Sequence, residues 1–190
     1  MVLVYIHGAN ATVNSFNYLR PQLGEGIALS YDSRHGFRRN LDRLKEEISG
    51  FNDITFIAHS LGGVYALHLA NLLPEKVQGS ITMSTPYGGH YAAALAKMLM
   101  PFEQLLHDIG PNSWPMDSIK EIQIRWPWTN IVTTKGNVPW LHSPNDGVVT
   151  IESQRHRSDM ELLEVDLNHY EVVVSPITLD IIRSKMSQPK

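Results

Sequence analysis

Short apolar runs alternating with helix-period segments constrain this chain more than any other feature. "VLVYI" (2–6), "IALSYD" (27–32), "DITFIA" (53–58), "VQGSITMS" (77–84), "TNIVTTKG" (129–136) and "ELLEVDL" (161–167) each read as one strand. The first is apolar, rich in β-branched residues and closed by Gly8, which suits a strand covered on both faces of a parallel sheet. Helical segments fall between them. Residues 14–20 read as a short helix ending near Pro21. Phe37, Leu41, Leu44 and Ile48 recur every three or four positions, with charged residues on the other face and Gly50 as a stop. Leu61 to Leu73 form the next helix, with Pro74 at its end, and Ser175-Pro176 opens the last. Parallel neighbours need crossover connections, so this alternation predicts an α/β fold: one mostly parallel sheet of about six strands with helices on both faces. A length of 190 residues, 43% apolar and 18% charged, suits a single globular domain.

One stretch breaks the alternation. Residues 87–128 are too long for an ordinary connection and are expected to form an insertion, not a second domain. Leu95, Met98, Leu99, Phe102 and Leu105 recur at roughly helical spacing, followed by Trp114, Trp126, Trp128 and Trp140. A lid or acyl-chain groove above the sheet is one reading. Plain core packing by methionine and aromatic side chains is the other.

Several function classes are excluded. The net charge is −3 with no long block of either sign, and Arg34, Arg38, Arg39 and Arg43 read as a solvated helix face, so no nucleic-acid partner is expected. The chain has no cysteine, hence no disulfide, thiolate nucleophile or cysteine metal site. No window approaches the roughly 18 apolar residues of a spanning helix, and "MVLVYIHG" lacks a basic leader, so a cytoplasmic chain without a membrane span is expected. His107-Asp108 and His142 with Asp146 are pairs without further ligands, "HSLGG" lacks a P-loop lysine, and "SLGGV" is no dinucleotide fingerprint. Neither a metal nor a cofactor is expected.

The third strand stops at His59-Ser60, and a helical run follows at once. A strand turning this tightly into a helix leaves its central residue in a left-handed conformation that needs small neighbours, here Ala58, Gly62 and Gly63. A serine there stands above the carboxyl ends of the strands, at a helix N-terminus whose free N–H groups favour developing negative charge. That is the geometry of a nucleophile elbow. An ordinary helix-capping serine is the plainer reading.

With "VYIHGAN", "IAHSLGG", "STPYGG", "SPNDGVV" and "NHYEVVVS" in this order, most of the chain resembles the α/β-hydrolase family, in particular small bacterial lipases and esterases with a minimal sheet. It departs from the broad pattern at Ala58, where glycine is commoner, and at Tyr87, where many lipases carry histidine.

A serine hydroxyl needs a base to take its proton. Position selects His169, in the loop after the last strand. His7 and Gly8 are read as shaping the first turn, and His59 as pointing away from the serine. A carboxylate should orient the base. Asp146 follows the fifth strand in an Asn-Asp-Gly turn and gives the chain order Ser…Asp…His, while Asp166, on the sixth strand, is its rival. An oxyanion would take the backbone N–H of Leu61, directly after the serine. The resemblance places the second donor at Ala9, with the Asn10 side-chain amide as an alternative. The expected activity is hydrolysis of a small acyl ester, lipid-like if residues 87–128 form a lid. Thioester or amide hydrolysis, acyl transfer, and ligand binding without catalysis are the other readings.

Overall fold

Six strands form one sheet, β1 (Val2–Ile6), β2 (Ile27–Leu29), β3 (Ile54–His59), β4 (Val77–Met83), β5 (Trp128–Thr133) and β6 (Glu161–Val165). The computed structural model describes residues 1–88, 113–136, 138 and 143–187. The strand order is β2-β1-β3-β4-β5-β6 and every pairing is parallel. The α-helices are α1 (Arg20–Leu23), α2 (Phe37–Ile48), α3 (Leu61–Leu72), α4 (Trp114–Glu121), α5 (Ile151–Gln154) and α6 (Pro176–Ser187). Among the described residues no helix is long and apolar enough to cross a membrane.

The four inner strands, β1, β3, β4 and β5, are covered on both faces, as their apolar composition demands, while β6 at the edge keeps Glu161 and Glu164 exposed. Val4 and Ile6 of β1, with Ile54, Phe56 and Ala58 of β3, pack against Leu41, Leu44 and Ile48 of α2 and Val64 and Leu67 of α3. Leu3, Tyr5 and Ile57 face the other way, against Phe16 and against Leu179 and Ile182 of α6. The split follows the two-residue period of a strand. Each such side chain contributes on the order of 1.5–3 kcal/mol by leaving water.

Pro21 does not end a helix; it sits in the first turn of α1. The segment before it is a 3₁₀ turn, Val13–Phe16, capped by the Thr12 hydroxyl. Proline fits a first turn because the N–H it lacks would have no intrahelical acceptor there. β2 stops at Leu29, earlier than expected. The Asp32 carboxylate instead accepts the Arg34 amide and caps a 3₁₀ turn, Ser33–His35.

Of the expected insertion, residues 89–112 lie outside the described residues, as do Trp140 and His142. The lid reading of that part and the His107-Asp108 pair lie outside the described residues. Part of the described remainder packs inward, although Trp114 is exposed. Tyr87 is buried, its hydroxyl donating to Thr82 Oγ1 (3.1 Å) and accepting from Trp128 Nε1 (2.9 Å). Met116 and Ile119 of α4 are buried in the α2–α3 core. Arg157 donates to the carbonyls of Ile119 and Ile122, closing the C-terminal turn of α4 with a cation, where the helix dipole favours one. Trp128, the last residue of the expected insertion, opens β5.

Candidate active site

The carboxyl ends of β3, β5 and β6, with the turn after β1, surround a cleft of about 70 Å³ lined by Gly8, Ala9, Ala11, Ser15, His59, Ser60, Val148, His169, Tyr170 and Val173. A larger cavity, about 480 Å³, opens elsewhere, against Ser80, Trp128, Glu161 and Lys185 near the first residues of β5 and β6. The small cleft is the better candidate. It is lined by Ser60 and His169, and in parallel sheets sites form at the carboxyl ends of strands.

Ser60 joins β3 to α3 with φ 53° and ψ −125°, a left-handed conformation that costs a side-chain-bearing residue about 1–3 kcal/mol. The neighbours impose it. The Ser60 amide continues the β3–β4 ladder to the Met83 carbonyl (2.8 Å), while its carbonyl accepts the Gly63 amide (2.9 Å) and so already belongs to the helix. A Cβ on Gly62 would lie 2.2 Å from the Ile6 carbonyl oxygen, and one on Gly63 would lie 2.0 Å from Thr85 Oγ1. Glycine at both positions lets α3 start directly against β1 and β4. Leu61 is the first residue of α3, so its N–H has no intrahelical acceptor. Ala9 lines the same cleft.

Asp146 and His169 are in direct contact. His169 Nδ1 lies 2.8 Å from Asp146 Oδ2, and the His169 amide donates to the Asp146 carbonyl (3.0 Å). A carboxylate can only accept, so Nδ1 carries the hydrogen and Nε2 of the neutral ring presents its lone pair. Asp146 is fully buried yet well supplied with donors. Oδ1 accepts the Val148 (2.9 Å) and Val149 (2.7 Å) amides, and Oδ2 accepts Thr133 Oγ1 (2.6 Å) and Gln154 Nε2 (3.1 Å) besides His169. Burial alone pushes its pKa up; the bonds from His169, Thr133 and Val149 outweigh that and hold it below the ordinary carboxylate value. Asp146 is thus also a structural turn residue, since the same carboxylate closes its own turn. Asp166 is exposed.

His7 is held as a neutral ring by two opposite bonds. Nδ1–H donates to the Gly8 carbonyl (2.8 Å), Nε2 accepts the Tyr31 amide (3.2 Å), and the Tyr31 ring stacks on it at 4.3 Å. The Tyr31 hydroxyl donates to the His7 carbonyl (3.0 Å). These contacts clamp the turn that carries Ala9, the role expected of His7. Asn10 has φ 54°, and its amide donates to Ser33 Oγ (3.2 Å).

His59 does not point away. Its ring lines the cleft, and Nε2 is 2.8 Å from the His169 carbonyl oxygen. The two-residue period of β3 puts His59 on the face of Ile57, whose cluster includes Val172 and Val173 of the segment that follows His169.

No family model and no curated protein matches the sequence. Solved structures do. The mature form of a Bacillus licheniformis lipase superposes with a TM-score of 0.73 over 98% of this chain and 92% of its own, at 16% identity. This is the α/β-hydrolase fold. An α/β-superfamily hydrolase from Oenococcus oeni shows the same fold with a TM-score of 0.67, covering 98% of this chain and 91% of its own at 14% identity. A thioesterase domain from the curacin biosynthetic pathway does so at 0.65, 98%, 91% and 13%. At these identities the likeness concerns the hydrolase fold alone.

Thr133, Gln154, Ser84 and Tyr31 were not singled out in the sequence. A faint signal existed. Thr133 and Gln154 are polar residues in segments that the fold buries, and a buried polar side chain needs partners.

Proposed function

We propose that this protein is a serine hydrolase that cleaves small carboxylic esters. Ser60 Oγ attacks the acyl carbon while His169 Nε2 takes its proton. The Ala9 and Leu61 amides hold the oxyanion of the tetrahedral intermediate. His169 returns the proton to the departing alkoxide, leaving an acyl group on Ser60. Water then attacks with His169 again as base, and the acid departs as the Ser60 hydroxyl is restored. Asp146 keeps the His169 ring in one tautomer and stabilises the imidazolium that forms in each half-reaction. Every proton that His169 takes it gives back, so the residues named suffice.

One observation carries the reading: an imidazole, tied to a buried carboxylate at 2.8 Å, shares a cleft with a serine on a left-handed strand-to-helix turn. A capping serine has no need of such an imidazole. Thioesters and amides would use the same residues, and the fold likeness to a thioesterase domain makes a thioester series the natural comparison.

The test is a chain-length series of p-nitrophenyl esters together with fluorophosphonate labelling. Wild type should be labelled and should hydrolyse the shorter esters, and Ser60→Ala should lose labelling and about 10⁴-fold or more in kcat. A wild type that is never labelled and turns over neither esters nor thioesters leaves only ligand binding.

A further inference from the structure

The mechanism above leaves unused the buried imidazole next to the nucleophile. His59 is 5% exposed, and it precedes Ser60 directly. Its Nε2 lies 2.8 Å from the main-chain oxygen of His169, and the two rings are 4.8 Å apart. A carbonyl can only accept, so Nε2 carries the hydrogen and Nδ1 is bare. Among the described residues Nδ1 has no hydrogen-bond partner. It faces Gly8, where an added Cβ would stand 3.1 Å from it and 3.1 Å from Ser60 Cβ.

We infer that His59 is a positioning residue: its Nε2–H holds the backbone of the base loop in register with the nucleophile turn, while its other edge abuts the turn that carries Ala9. The inference rests on the proposed hydrolase reading and adds a part to it. Ser60, His169 and Ala9 come from three separate loops. Asp146 fixes the His169 ring relative to the acid turn, but nothing in that contact refers to the serine. The bond from His59 does, because His59 ends β3 and the strained Ser60 follows it directly. The side chain therefore transmits the position of the nucleophile to the base.

The imidazole suits this post because it stays uncharged. Burial, first, and then the proximity of His169 push its pKa down to about 3, against weaker opposite effects from the His169 carbonyl and from Asp146. His7 is the remaining titratable neighbour, and it too disfavours a charge on His59. A neutral donor can anchor a general base without placing a positive charge beside it. Gly8 packs closely on the other side, where an added Cβ would press on both His59 Nδ1 and Ser60 Cβ at 3.1 Å.

Two variants separate this role from mere core filling. His59→Gln keeps an N–H at a reach close to that of Nε2; His59→Leu fills similar space and donates nothing. The kcat and KM for a short p-nitrophenyl ester are measured, with the far-downfield proton of the His169–Asp146 hydrogen bond followed by NMR. His59→Leu should lose about 10- to 100-fold in kcat with KM within about twofold, the pattern of a misaligned base, and its downfield resonance should broaden or vanish. His59→Gln should recover most of the loss and retain the resonance. Equal kcat and an unchanged resonance in wild type, Gln and Leu variants would overturn the inference. So would equal losses in both variants that track the folded fraction measured by thermal melting. The resonance is readable whether or not an ester is cleaved. A wild type inert to esters and fluorophosphonate thus removes the reaction, while the resonance still judges the tie between the two loops.

Discussion

The Asp146 carboxylate shows how a buried charge is tolerated. Removing an ion from water costs several kcal/mol, and only a full set of donors offsets it. Five donors converge on its two oxygens, two from its own turn and three from elsewhere. Thr133 is the most telling of them. Its hydroxyl hydrogen goes to Asp146 at 2.6 Å, so Ser84 Oγ, 2.8 Å away, must donate to Thr133 in turn. Ser84 itself holds a left-handed φ of 51°, a second strained serine at the end of a strand. Thr133→Val keeps the shape and removes the bond. It should cost about 1.5–3 kcal/mol, the range for a hydrogen bond to a charged group, at roughly 2–4 °C of Tm per kcal/mol for a chain of this size. Ester turnover should fall about tenfold, because the acid then sits less firmly under His169. A melting curve and a kcat measurement check both numbers, and an unchanged Tm would show that water replaces the hydroxyl.

At the scale of elements, the strand-to-helix turn depends on how closely α3 approaches β1. Gly62 meets the Ile6 and His7 carbonyls, which are backbone atoms and cannot rotate aside. Gly62→Ala should therefore push the end of β1 outward and carry Gly8 and Ala9 with it. The expected cost is about 1–3 kcal/mol from overpacking, with a loss in kcat approaching 10²-fold through displacement of the oxyanion donor. Gly50, just past α2, provides the control. A Cβ there would meet nothing within 4 Å, and its φ lies outside the left-handed range. Gly50→Ala should leave ester turnover unchanged and stability unchanged or slightly raised. Urea melts of the two variants, side by side with their kinetics, give the comparison. Equal stability of both would mean that α3 can retreat from the sheet.

At the scale of the whole molecule, burial disfavours charge on three imidazoles among the described residues. His7, His59 and His68 all have pKa values below the ordinary histidine value, chiefly because burial penalises the cation; His59 is the extreme, at about 3. Each lies on a different contact: His7 on the β1 turn, His59 on the His169 loop, and His68 on α4 through the Pro115 carbonyl at 3.0 Å. The unfolded chain takes up these protons near pH 6.5, and the folded chain resists. Their contribution to stability is thus complete above about pH 6.5 and is lost as the pH falls toward the folded values. Each group contributes a slope of at most about 1.4 kcal/mol per pH unit within its own window. Asp146 acts lower down: its contribution is present above the unfolded carboxylate value of about 3.9 and fades as the pH drops through its lowered folded value. The urea midpoint should accordingly decline from pH 7 to pH 4.5 with an unchanged m-value. His68→Gln, which cannot take a proton, should shed one share of that slope. A stability that stays flat between pH 7 and pH 5 would contradict this account.

Strand and helix alternation, the serine at the break of the third strand, and the order serine, aspartate, histidine were legible in the chain, because each is a local pattern of period, small residues or turn residues. Those patterns survive folding, since they describe what a segment does to its own backbone. Pro21 reads either way in the sequence, because the same residue closes one helix or opens the next; the 3₁₀ turn Val13–Phe16 before it and the start of α1 at Arg20 settle which. The direction of His59 follows the period of its strand, but only the folded chain shows that the His169 loop covers that face of the sheet. Thr133, Gln154 and Ser84 come from three separate segments, and only the closing of the sheet brings them around one carboxylate. A hydrogen-bond partner is chosen by proximity in space, and no sequence period encodes it; the backbone pattern belongs to the sequence, and the company each buried polar group keeps belongs to the tertiary structure.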